Sequence, residues 1–111
     1  MSRETPGDVL QGTLDLLVLK TLALEPMHGW GVAQRIQQLS KDALTVGQGS
    51  VYPALLRLQT RGLIANEWGT TENNRRARYY RITALGRRQL QAEMGDWRKY
   101  ARAVELILRA T

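Results

Sequence analysis

Hydrophobic and polar positions along the chain fall into four helical patterns and one alternating stretch. From about Val9 to Glu25, Leu10, Leu14, Leu17, Val18 and Leu24 recur at helical spacing, and Leu16, Leu19 and Leu22 widen the stripe. A helix apolar around this much of its circumference needs cover on two sides, from its own domain and from another subunit. Pro26 lacks an N–H and disfavours helical geometry at Glu25, so the helix should end there. After a turn at Met27-His28-Gly29, a second helix carries Val32, Ile36 and Leu39 on its apolar stripe, with Ala33 beside them. Arg35, Gln37, Gln38 and Lys41 form its wet side, and residues 40–48 read as a loop punctuated by glycine.

A third helix is expected from an N-cap at Ser50 to about Arg61, closed by Gly62 as the C′ residue, with Pro53 tolerated in its first turn. At 100° per residue Val51, Ala54, Leu55 and Leu58 share one face. Ser50, Tyr52, Pro53, Leu56, Arg57 and Thr60 point away from it, a poor solubility surface and a plausible groove-reading one. The plainer alternative packs Tyr52 and Leu56 under a neighbouring loop. Residues 63–68 and 77–83 are rich in β-branched and aromatic side chains and flank a turn-forming middle, which predicts a two-stranded hairpin lying on the helices. Thr83 can then cap a last helix in which Leu90, Met94, Trp97, Ala101, Val104 and Leu108 recur at alternating spacings of four and three. That seam is longer than a small core requires, so a second copy of the chain is the simplest partner; packing against the first helix is the alternative. The fold class is therefore mainly α with a small β-hairpin. Residues 9–83 form a winged helix-turn-helix domain and residues 84–111 a C-terminal dimerisation helix.

Composition removes several classes of chemistry. The chain has no cysteine and a single histidine, His28, so disulfides, thiolate metal sites and multi-histidine zinc sites are excluded and no cofactor is expected. His28 reads as a turn residue at a helix start, and no catalytic constellation accompanies it. Gly47-Gln48-Gly49-Ser50 is too short for a phosphate-cradling loop. The longest apolar stretch, Leu14 to Leu24, is interrupted by Asp15 and Lys20 and falls short of the roughly 20 residues that a bilayer demands. The N-terminus has no signal-peptide pattern, and a cytoplasmic protein that binds no membrane is expected.

Charge then singles out one region. Between residues 57 and 88 stand Arg57, Arg61, Arg75, Arg76, Arg78, Arg81, Arg87 and Arg88, against Glu67 and Glu72 alone. The whole net charge of +6 lies in this stretch, and the remaining residues balance to zero. Arginine's planar fork suits phosphate oxygens, so the hairpin and its surroundings point to a polyanion.

Five segments carry a resemblance: Leu10-Gln-Gly-Thr-Leu-Asp-Leu-Leu-Val-Leu, Pro26-Met-His-Gly-Trp-Gly-Val-Ala, Gly49-Ser-Val-Tyr-Pro-Ala-Leu-Leu-Arg-Leu, Arg61-Gly-Leu-Ile and Arg78-Tyr-Tyr-Arg-Ile-Thr-Ala-Leu-Gly. Over residues 10 to about 100 the sequence resembles the PadR family of transcriptional regulators, in its compact branch with a single C-terminal helix. Val51 departs from the leucine common there, and Trp30 stands where tyrosine is usual. The resemblance implies a bacterial homodimeric repressor of double-stranded DNA with a dyad-symmetric operator, released by a small apolar effector. It places Gly49, Ser50, Tyr52, Pro53 and Arg57 on the recognition helix against DNA, and Arg75, Arg76 and Arg78 on the wing. It places Trp97 on the helix that lines an apolar cavity between subunits in some relatives; filling volume in the dimer seam is the other reading of this residue. Arg57 is a candidate for pairing with guanine, or for a phosphate contact only. The competing class is a winged-helix module that binds protein and not nucleic acid.

Overall fold

The structure is a computed structural model that describes the backbone of residues 6–111, with side chains described from Gly12 onward. Its elements in chain order are α1 (Pro6–Leu24), β1 (Met27–His28), α2 (Gly29–Leu39), α3 (Gln48–Thr60), β2 (Ile64–Thr70), β3 (Arg76–Ile82) and α4 (Ala84–Leu108). Helices and a small antiparallel sheet in this order form the expected winged helix-turn-helix with a C-terminal helix. The sheet has one strand more than the hairpin expected. Its order is β1-β3-β2, with Met27 opposite Tyr80 and His28 opposite Tyr79. Two residues are too few to show an alternating pattern, so only the tertiary pairing reveals β1 as a strand and not a turn.

The core is built from the apolar stripes. Leu14, Val18, Leu19 and Leu22 of α1 meet Val32, Ala33 and Ile36 of α2 and Val51, Ala54, Leu55 and Leu58 of α3, with Ile64, Tyr80 and Ile82 closing it from the sheet. Leu19 and Leu22 are fully buried, whereas Leu17 is half-buried and Leu24 is exposed, so the buried face of α1 is rotated from the expected stripe. The Leu10 side chain lies outside the described residues. Leu39, expected on the stripe of α2, is exposed, because α2 ends there and the chain turns through Lys41 and Asp42 in left-handed conformation. Leu44 and Val46 of the following loop take its place against the core.

α3 ends as expected. Gly62 has φ +74, the Gly62 N–H donates to the Gln59 carbonyl at 2.9 Å, and the Leu63 N–H donates to the Leu58 carbonyl at 3.0 Å, a pattern that closes the helix through a glycine C′. Its start differs from expectation. Gly47, not Ser50, is the N-cap, and its carbonyl accepts from the N–H groups of Ser50 and Val51. Pro53 therefore lies inside the helix rather than in its first turn. A proline there cannot donate to the carbonyl four residues earlier, which is that of exposed Gly49.

Thr83 caps α4 as the sequence predicts: its Oγ1 accepts from the Gly86 N–H at 3.0 Å, and its own N–H donates to the Leu63 carbonyl at 3.0 Å. Gly86 lets α4 approach the start of β2, since a Cβ there would run into the Leu63 carbonyl and lie 2.7 Å from Ile82. Gly86 and Leu90 are buried, so the first turns of α4 belong to the common core and residue 84 marks no break in packing. Among the described residues no helix is long and apolar enough to cross a membrane.

Candidate nucleic-acid interface

The exposed side of α3 supplies the first wall of the site. Gly49, Tyr52, Pro53 and Leu56 are exposed and Ser50 is half-buried, so Tyr52 and Leu56 do not pack under a loop. The Tyr52 ring leans onto the first turn of α2, where a Cβ added to Gly29 would lie 2.9 Å from Tyr52 Cε1. Only glycine at position 29 leaves room for the ring to cross there. His28 caps α2: its Nδ1 accepts from the Gly31 N–H at 3.0 Å, and its ring stacks on Trp30 and meets the edge of Tyr79. An accepting Nδ1 carries no proton, so the one imidazole serves as a helix cap.

The hairpin supplies the second wall. The register sets Ile64 opposite Ile82, Asn66 opposite Tyr80, Trp68 opposite Arg78 and Thr70 opposite Arg76. These pairs share one face by the two-residue period of a strand. That face is buried at its base, through Ile64, Tyr80 and Ile82, and emerges beyond the helices as Trp68, Arg76 and Arg78. The guanidinium carbons of Arg76 and Arg78 lie 4.7 and 4.6 Å from the centroid of the Trp68 ring. Asn66 accepts from Arg78 and donates to Gln59 of α3, tying the wing to the helix. Burial, reinforced by nearby Tyr52, holds the Tyr80 phenol above its ordinary pKa, with Arg78 pulling it partly back. The ring therefore stays neutral. At the tip, Asn74 adopts a left-handed turn, the Thr71 N–H donates to the Arg75 carbonyl at 2.8 Å, and the Arg75 side chain is exposed. On the outer face the Tyr79 ring covers Gly69, and the Tyr79 hydroxyl donates to the Thr70 carbonyl at 3.1 Å.

Between the wing and the start of α2 runs a groove of about 860 Å³, lined among others by Trp30, Arg35, Trp68, Arg75, Arg76 and Arg78, with Tyr52 reaching into it from α3. Tyr52, Arg75, Arg76 and Arg78 of the expected contact set are thus brought to one side of the molecule. Arg57 is not. Its Nη2 and Nε donate to Asp15 of α1 at 2.7 and 3.1 Å, a two-pronged pairing with a carboxylate only 14% exposed. The Asp15 hydrogen bond holds the Arg57 guanidinium above its ordinary pKa. The fork expected to meet guanine or phosphate is spent on joining α1 to α3. Trp68, Asn66 and Gln59 were not expected at the site. A tryptophan on the strand that faces the arginine-rich return strand was the available signal for the first, and no sequence signal marks the other two.

The C-terminal seam divides in two. Leu90 is buried and Met94 packs on the chain's own core, so the start of the seam is intramolecular, as the alternative reading had it. Further along, Ala101 and Val104 are half-buried, while Trp97, Tyr100, Leu106, Ile107 and Leu108 are exposed. Trp97 borders a shallow cleft of about 330 Å³ with Gly12, Thr13, Leu16, Glu93, Asp96 and Tyr100. Its volume lies at the lower end of the roughly 300–1,000 Å³ usual for small-molecule pockets, and its lining is mainly apolar although Glu93 and Asp96 belong to it. Among the described residues no cluster of His, Asp and Glu side chains could hold a metal ion.

Comparison with known proteins agrees with this geometry. The profile of the transcriptional regulator PadR-like family matches residues 18–92. Over 89 residues the chain is 34% identical to the transcriptional regulator Rv3488 of Mycobacterium tuberculosis, covering 80% of this chain and 79% of that protein. A solved PadR family transcriptional regulator from Eggerthella lenta superposes with a TM-score of 0.77 at 29% identity, over 93% of this chain and 88% of that one. A transcriptional regulator from Clostridium thermocellum shares the fold with a TM-score of 0.83 at 24% identity, over 92% of this chain and 99% of that one. With its helix-turn-helix, arginine-bearing wing and single C-terminal helix, this chain belongs to the PadR-like family of transcriptional regulators.

Proposed function

We propose that this protein is a homodimeric repressor that binds a dyad-symmetric operator, with α3 in the major groove and the wing along the phosphate backbone. The observation that carries the reading is the shared orientation of two surfaces. Tyr52 of α3, the first turn of α2 and the arginine face of the wing border one groove, and Arg75, Arg76 and Arg78 have no carboxylate partner among the described residues. Arginine–phosphate contacts supply affinity through counterion release, while Gly49, Ser50, Tyr52 and Pro53 set the approach of the helix. The Ser50 hydroxyl and the helix N-terminus favour phosphate, as does the Tyr52 hydroxyl. Arg57 braces α3 against α1 in this reading and reads no base.

Two copies join through the uncovered part of α4, where Trp97, Ala101, Val104 and Leu108 would lie between subunits. An apolar effector seated beside Trp97 in that interface would shift the spacing of the two α3 helices and release the operator. Saturable quenching of tryptophan fluorescence by planar aromatic compounds, lost in Trp97→Ala, is the expected sign of such a site; no saturable quenching across a broad panel would remove the effector. Selection of bound duplexes from a random library at physiological salt tests the whole reading. Recovery of inverted repeats about one or two helical turns apart supports it. Unenriched sequences would instead favour a module that binds protein.

A further inference from the structure

We propose that Trp68 is a positioning residue for the DNA-facing charges of the wing: its indole holds Arg76 and Arg78 against its ring before any polyanion arrives. The inference rests on the DNA-binding reading above and goes beyond it by assigning the role to a residue that carries no charge.

Three observations converge on it. First, the register puts Trp68 opposite Arg78, with Arg76 two residues before it on the same strand face, and both guanidinium carbons lie within 4.7 Å of the ring centroid. Two like charges gathered on one ring repel each other, and among the described residues neither has a carboxylate partner. Contact with the ring offsets that repulsion in the free protein, and phosphate removes it in the complex. Second, Trp68 is 54% exposed and lies beyond the core, so the fold does not need its volume. Third, Asn66 on the same strand face accepts from Arg78 and donates to Gln59 of α3. Arg78 is thereby set at a fixed place relative to the helix, and Arg76 is joined to it through the ring that both arginines contact.

Long arginine side chains lose rotamer freedom when they dock, at a cost that falls if they are already ordered. Trp68 should therefore change affinity without changing the number of counterions released. Duplex binding by the full chain, followed by fluorescence anisotropy over a salt series, separates the two effects. Trp68→Ala is expected to weaken binding about five- to tenfold at every salt concentration, with the slope of log K against log salt unchanged. Trp68→Tyr, which keeps a π-face, should recover most of that loss. In a chain carrying Arg76→Ala and Arg78→Ala, Trp68→Ala should cost less than about twofold, because the residues it orders are gone. Without DNA, the δ-methylene proton resonances of Arg76 and Arg78, shifted by the indole ring current, should return toward free-arginine positions in Trp68→Ala. Equal losses in both arginine backgrounds would overturn the positioning role, because Trp68 would then touch DNA itself. Wild-type binding unaffected by Trp68→Ala would overturn it as well while leaving the DNA interface standing. Failure of the wild-type chain to bind any duplex would instead overturn the interface on which the inference rests.

Discussion

α3 and α4 are both amphipathic, yet the chain covers the apolar face of one and leaves much of the other exposed. Every residue on the apolar face of α3, Val51, Ala54, Leu55 and Leu58, is buried in the chain's own core. α4 buries only Gly86 and Leu90 along its 25 residues and leaves Trp97, Tyr100, Leu106, Ile107 and Leu108 exposed. The contrast separates two uses of an apolar stripe. On α3 it fixes the helix so that the opposite side can be offered to a partner. On the outer half of α4 the stripe is itself the surface offered, and a length of about 37 Å carries it beyond the three-helix core.

Substitution of the two stripes should break the comparison in different ways. Leu58→Ala should have the largest effect, destabilising the fold by about 2–5 kcal/mol through a cavity under α3. Because the loss arises inside one chain, the drop in Tm should be the same at every protein concentration in a calorimetric dilution series. Val104→Glu combined with Leu108→Glu should weaken self-association at least about a hundredfold, close to 3 kcal/mol. Sedimentation velocity should then show a monomer where a dimer is expected of the wild type, and the dependence of Tm on concentration should vanish. A wild type already monomeric at micromolar concentration would make the exposed stripe a surface for some other partner. Asp15→Asn should have the smallest effect, about 1 kcal/mol, since the substituted side chain can still accept one hydrogen bond from Arg57. It should leave DNA affinity unchanged or slightly lower. Tighter binding by Asp15→Asn would mean that a freed Arg57 reaches DNA and that its bracing role is wrong.

What the sequence discloses follows the range of the interactions involved. Periodicity is local, so the buried face of α3, the glycine stop at Gly62 and the Thr83 cap are all readable from the chain alone. The start of α3 is not, because Ser50 has the right chemistry for an N-cap while that position is held by Gly47, which has no side chain to cap with. Pairings across the fold are silent in a linear reading. Asp15 and Arg57 stand 42 residues apart, and β1 exists only because β3 comes beside it. The concentration of arginine on the wing was visible at once. That Trp68 gathers two of those arginines depends on a cross-strand register which the hairpin pattern alone did not fix. The seam of α4 was legible as a repeat, but which part covers the chain's own core had to come from packing.

The most direct test of the account is the salt dependence of duplex binding. The slope of log K against log salt reports how many phosphates the protein neutralises. Anisotropy titrations should give a steep slope for the wild type that falls by about one unit in each of Arg75→Ala and Arg76→Ala, with affinity reduced for all sequences alike. A slope unchanged by both substitutions would contradict the assignment of the wing to the DNA backbone.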